Sequence, residues 1–362
     1  MWQRLKGCPR VSQGLLFLAL LGLLPSATGC YYVHISMGQA RILFGREAIE
    51  TALAHNTDLT PEEKAKLALV PEIRRFATDT LGLAETGSYR TFYDAGRKPI
   101  AYNVNASAKT SFTPYRWSFP FVGKVPYKGY FALEDARAEA AKLEHHGFDA
   151  QVREVTAYST LGWFSDPVFR RMLRYEMGRL ANTIFHELTH ATVFRAGDAD
   201  FNESCATFVG NEGALAFLVA KFGMGSPEVT RALDARHDEQ LFTAFLDDLY
   251  AGLEQLYRSE ASEAEKLAQR AAVFESATPA FEAYRRSRFK TDAYARFTQR
   301  PLNNAVILGY RIYHTDLTAF ADVLTLLDGD WKRAMAVFQQ AARAPSPRGY
   351  LADWQTAKRA SG

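Results

Sequence analysis

Apolar residues recur at helical spacing along most of the chain. From Leu173 to Leu188 they fall at Leu173, Met177, Leu180, Ala181, Ile184, Phe185 and Leu188, one stripe of a helix. The spacing predicts that this helix opens at Asp166-Pro167, with a capping residue and a proline at its first position, and runs to about Arg195. Ala196-Gly197 closes it, and Asp200 or a neighbour caps a second helix reaching about Val219. Glu228 to Tyr257 repeats the pattern with Leu241, Phe242, Phe245, Leu246, Leu249, Leu253 and Leu256. Ala261 to Tyr294 does so again, with a break expected near Pro279. Leu302 to Phe320 is apolar, and Trp331 to Ala342 forms the last clear helix. Nearer the start, Met37 to Leu69 reads as mostly helical and Pro71 to Leu81 as a second stretch. Within the first of these stretches Thr60, Pro61 and Glu63 have the order of a capping box with proline at the first helical position.

The middle of the chain changes period. Ser88 to Phe92, Ile100 to Ala106 and Val152 to Ser159 have the β-branched, aromatic and alternating character of strands. Phe112 to Tyr130 carries Trp117, Phe119, Phe121, Tyr127 and Tyr130 among prolines and glycines, which predicts an aromatic-packed, irregular sheet region. Glu134 to His146 is a helix closed by Gly147, with His145 and His146 in the last turn, where a positive imidazole is favourable. The expected fold is α+β and mainly helical: a small mixed or antiparallel sheet beside the central helices, and a long helical carboxy-terminal part. The expected divisions are 1–29, 30–225 and 226–362.

The first division is a processing signal. Arg4, Lys6 and Arg10 precede the apolar run from Val11 to Leu24, the layout of a secretory leader. Ala27-Thr28-Gly29-Cys30 resembles a bacterial lipobox, which implies cleavage before Cys30 and its lipidation. Tyr31 at the next position implies the outer membrane as destination. Removing 29 residues takes three of the 43 basic residues and none of the 40 acidic ones, so the remaining chain is balanced. No basic excess points to nucleic acid. Of the three cysteines, Cys8 leaves with the leader and Cys30 would carry lipid. Cys205 then has no partner for a disulfide, and its apolar helical setting reads as structural.

The candidate chemistry lies on the central helix. Residues 186 to 190 read His-Glu-Leu-Thr-His. Two histidines four apart share one helix face, so both imidazoles can reach one zinc ion, and Glu187 can take the proton of an attacking water. A catalytic zinc takes three protein ligands. Asn202-Glu203 begins twelve residues after the second histidine, in the first turns of the next helix, and makes Glu203 the leading third ligand. Glu212 is the alternative. The two are nine residues apart and face opposite sides of a helix, so both do not bind one ion.

Asn202-Glu203-Ser204-Cys205-Ala206 after His186-Glu187-Leu188-Thr189-His190 resembles the gluzincin pattern. The chain more specifically resembles the bacterial putative aminopeptidase family of exported lipoproteins. Further landmarks are Pro126-Tyr127-Lys128-Gly129-Tyr130, Gly162-Trp163-Phe164-Ser165-Asp166-Pro167 and Leu302-Asn303-Asn304-Ala305. The resemblance implies a zincin-like core, one Zn²⁺ held by His186, His190 and Glu203, and Glu187 as base. Related enzymes use a tyrosine or histidine as transition-state donor, and Tyr310, in the distal landmark region, is the candidate here. Asn303 and Asn304 are candidates for binding substrate backbone, and Tyr158 to Phe164 for lining the cleft. The expected activity is removal of amino-terminal residues from peptides on the periplasmic side of a bacterial envelope, with a lipid anchor as membrane partner. The alternatives are a zinc endopeptidase and a noncatalytic, zinc-containing envelope binding protein.

Overall fold

The computed structural model describes residues 28–96, 99–119, 123–155, 165–311 and 317–360. The chain divides into two compact units, Met1–Arg46 and Glu47–Gly362. In the first, α1 spans Thr28–Gly45, so the expected cleavage point falls within a helix. In the second, β1 (Glu47–Ala48), α2 (Ile49–His55) and α3 (Pro61–Asp79) lead into β2 (Thr91–Tyr93), β3 (Ala101–Ala108), β4 (Trp117–Phe119), β5 (Gly123–Val125) and β6 (Tyr127–Tyr130). Then come α4 (Leu133–His145), β7 (Phe148–Val155), β8 (Val168–Phe169) and a 3₁₀ turn over Arg170–Arg174. The remainder is helical: α5 (Met177–Thr192), α6 (Ala199–Phe222), α7 (Pro227–Arg258), α8 (Glu263–Arg288), α9 (Asn304–Arg311), α10 (Thr318–Leu326), α11 (Trp331–Arg343) and α12 (Pro347–Ala360). The fold is α+β and mainly helical. The boundary expected at 225–226 lies between α6 and α7, inside the second unit.

The capping box at α3 is complete: Thr60 accepts from the Glu63 N–H while the Glu63 side chain accepts from the Thr60 N–H. Pro71 sits inside this helix instead of dividing it, and Pro279 likewise lies within α8. A proline inside a helix removes one N–H bond and costs about 3 kcal/mol or more. Burial outweighs that cost. Leu67, Val70, Ile73 and Ala77 are fully buried along α3, and Phe274, Ala277 and Phe281 are buried along α8.

The start of α5 also differs from expectation. Val168 and Phe169 form β8, which pairs in parallel with Phe92 and Tyr93 of β2. Backbone bonds hold the approach: the Tyr89 N–H donates to the Asp166 carbonyl at 2.6 Å, and the Asp166 N–H donates to Ser88 Oγ at 3.1 Å. The 3₁₀ turn follows, fixed by Arg170, which bonds Glu63, Asp94 and the Asp58 carbonyl. Capping chemistry at Asp166-Pro167 is therefore overridden by a sheet partner from residues 91–93, and the helix begins at Met177.

A second sheet has the order β6-β3-β7, all antiparallel, and α4 packs on it. A hairpin of β4 and β5 supplies part of the expected aromatic region, with Trp117 Nε1 donating to Glu139 at 2.7 Å. In the helical half, Phe242, Phe281 and Phe297 form an aromatic core between α7, α8 and the segment that follows. A separate cluster joins Phe208 of α6 to Phe320, Trp331 and Phe338 of the last helices.

Candidate metal centre

Helix α5 buries Leu180, Ala181, Ile184, Phe185 and Leu188 and turns His186 and His190 toward α6. The two helices pack closely because small residues face the contact. A Cβ at Gly210 would stand 3.1 Å from the Asn182 carbonyl oxygen and one at Gly213 3.3 Å from the Phe185 ring, both on α5, while Leu81 beyond α3 also closes on Gly213. Asp198, not Asp200, caps α6 by accepting from the Phe201 N–H at 3.0 Å. Glu203 then lies in the first turns and points back at the histidines.

The three side chains meet. His186 Nε2 and His190 Nε2 are 3.2 Å apart, Glu203 Oε2 is 3.4 Å from His186 Nε2, and Glu203 Oε1 is 3.6 Å from His190 Nε2. They form a group that can hold a metal ion. Tetrahedral donors about 2.0–2.1 Å from a zinc ion stand roughly 3.3–3.4 Å from each other, so the separations fit a shared ion. The group is tilted in exposure: the His190 side chain is 5 % accessible, His186 16 % and Glu203 30 %. A fourth position on the Glu203 side can therefore face solvent.

Electrostatics prepare the donors. Burial depresses the His190 pKa to about 4, aided by the neighbouring His186 and opposed by Glu203. His190 is thus neutral, the form that ligates. Burial works against a charged His186, but the Glu203 bond and the charges of Glu187 and Glu203 prevail and raise its pKa. Burial likewise works against ionised Glu203, yet His186 and His190 hold its pKa down. His190 Nδ1 is buried without a hydrogen-bond partner, so the ring is engaged only through the nitrogen that faces the group.

The other candidates are distributed elsewhere. Glu212 pairs with Arg236 at 2.6 Å, which commits it outside the group. Cys205 is fully buried, and burial pushes its thiol pKa far up. Tyr310 packs edge-on to Phe242 and Phe297, with Arg153 over its ring, against the aromatic core of the helical half. Asn303 caps α9 by accepting from the Val306 N–H at 2.9 Å and donates to the Ala150 carbonyl. Asn304 is fully buried, donates to the carbonyls of Ala108, Lys109 and Ser111, and accepts from Tyr257 Oη. Both asparagines bolt α9 to the sheet region. His146 Nδ1 meets the Lys142 carbonyl at 2.6 Å at the end of α4, consistent with a capping role. Of the expected cleft segment Tyr158 to Phe164, all residues lie outside those described.

Tyr89 carries no signal in the sequence pattern. It is buried, its backbone is left-handed at φ +60°, and its hydroxyl has no partner. Burial raises its pKa, and the negative charges of Glu187 and Asp166 add to the rise. Only the turn between residues 82 and 91, invisible to periodicity, brings it beside Glu187. Asn202 precedes Glu203 in the motif, and its own bonds to Arg195 have no local signature in the sequence.

A family model described as "Putative aminopeptidase" matches residues 30–349. No curated protein and no solved structure matches the chain. The chain belongs to that family.

Proposed function

We propose that this member of the family is a zinc-dependent peptidase that removes amino-terminal residues from peptides. The observation that carries the metal assignment is the convergence of His186, His190 and Glu203 with zinc-compatible separations. The family description supplies the aminopeptidase direction. Zinc at this site would supply Lewis-acid polarisation of the scissile carbonyl and the attacking water. His186 and His190 would hold it through the nitrogens that face the group, and Glu203 would complete the set from the neighbouring helix. Glu187, next to His186 on α5, accepts the proton of the attacking water at its carboxylate and passes it to the departing amine. The leader and Ala27-Thr28-Gly29-Cys30 support a lipid-anchored, periplasmic setting for this activity, with peptides as partners.

Two variants test the reading together. Glu187→Gln keeps zinc bound, because no ligand changes, while turnover falls roughly 100-fold or more. Glu203→Ala loosens zinc as well. Metal content and peptide turnover are measured for both. Full activity in the Glu187 variant overturns the mechanism, and normal zinc retention in the Glu203 variant overturns the ligand set. Peptides with free and acetylated amino termini separate the modes of cleavage: rapid internal cleavage of the acetylated set identifies an endopeptidase instead.

A further inference from the structure

We propose that Asn202 is the positioning residue that sets the metal affinity, by locking the elbow between the two ligand-bearing helices. The inference rests on the metal-site reading above. The ligands come from two helices, and the chain must reverse between Thr192 and Ala199 to bring Glu203 back onto the histidines. Asn202 fastens that reversal at two points. Its side-chain oxygen accepts from the Arg195 N–H at 2.8 Å, and its side-chain nitrogen donates to the Arg195 carbonyl at 2.8 Å. Asn202 is 6 % exposed and both bonds are partly buried, so breaking them leaves polar groups that water replaces poorly.

The elbow is anchored in turn from outside. The Arg195 guanidinium donates to the carbonyls of Ala342, Ala344 and Pro345 at the end of α11. Arg348 donates to Asp200 Oδ2 at 2.8 Å and to Ser204 Oγ at 3.2 Å, on either side of Glu203 in sequence. A ligand must sit within about 0.5 Å of its productive place to count in full. Glu203 is one residue from the lock in the first turns of its helix, and its side chain is 30 % exposed, so its placement follows the course of the elbow. Farther along, the tight contacts at Gly210 and Gly213 fix the helix bodies but are two or more turns from the carboxylate. If those contacts alone placed Glu203, the paired bonds of Asn202 would be dispensable for metal binding.

The test compares the full chain with N202A and with T60A, a capping variant on α3 that supplies a general loss of stability away from the metal group. Zinc affinity is measured by competition with a chromogenic chelator, and ligand geometry by the visible spectrum of the cobalt-substituted protein. N202A should bind zinc about 10–100-fold more weakly, the range for loss of a ligand-orienting partner, and should show an altered cobalt spectrum. T60A should change neither. If N202A does not fold, N202D serves the same comparison. It keeps the acceptor for the Arg195 N–H but turns a second acceptor toward the Arg195 carbonyl, and the same direction of loss is expected. Wild-type zinc affinity and cobalt spectrum in either folded variant overturn the proposal, as does an equal loss in T60A. Failure of the wild-type chain to bind zinc at all overturns the metal-site reading itself, and this inference with it.

Discussion

Cys205 lies two residues beyond Glu203, yet chemistry there is shut off. The side chain is fully buried, and burial holds its thiol far above the ordinary pKa range. The thiolate is the reactive form, so iodoacetamide at about pH 8 should leave Cys205 unmodified in the folded protein and alkylate it after denaturation. Mass spectrometry of the peptide containing Cys205 reads the result, and stoichiometric labelling of the native state would contradict the structure. This residue was legible in the sequence because its apolar helical neighbours are local. The histidine pair was legible for the same reason: a spacing of four fixes a shared face without reference to the rest of the fold. Tyr310, Asn303 and Asn304 were not. Their roles depend on Phe242, Ala108 and Tyr257, and nothing in residues 303–310 announces partners so distant in sequence.

At the level of elements, the 3₁₀ turn before α5 depends on one guanidinium. Arg170 and Glu63 have side chains only 10 % and 13 % exposed and lie 3.2 Å apart, and Asp94 stands 3.1 Å from Arg170 on another nitrogen. Arg170→Met leaves those carboxylates without their cation and should destabilise the fold by about 3–5 kcal/mol, measured by urea denaturation at neutral pH. The pH dependence has a definite sign. Burial works to raise the Glu63 pKa, but bonds from Arg170 and Thr60 prevail and lower it below 4.5. A lowered folded pKa contributes stability that is complete above about 4.5 and disappears as pH falls through the folded value. The gap between wild type and Arg170→Met should therefore narrow on going from pH 7 to about pH 3.5, and a gap that widens would contradict the pairing. Arg170 also explains why α5 starts later than the local pattern predicts. The local code at Asp166-Pro167 favours a helix, whereas Glu63 and Asp94 lie 107 and 76 positions away.

Across the whole molecule, the last helices are structural partners of the metal group. Phe208, on the helix that carries Glu203, packs against Trp331 at 6.0 Å and Phe338 at 5.9 Å. A chain ending at Asp330 loses both rings, together with the anchors of Arg195 and Asp200. Each large core aromatic is worth about 3–5 kcal/mol, and a domain has only about 5–15 kcal/mol in total. The truncated chain should show no cooperative unfolding transition by calorimetry and should not retain zinc; normal behaviour in both would make α11 and α12 dispensable. The order of synthesis gives the Arg195 anchor a further consequence. Its carbonyl partners lie 147 to 150 positions downstream, so the ribosome delivers both histidines and Glu203 well before it delivers the groups that steady their elbow. At about 5–20 residues per second the interval is roughly 7–30 s. A chain exported as proposed above folds only after crossing the membrane, where the proposed ligands, emerging first, would lack their finished support until the final helices follow.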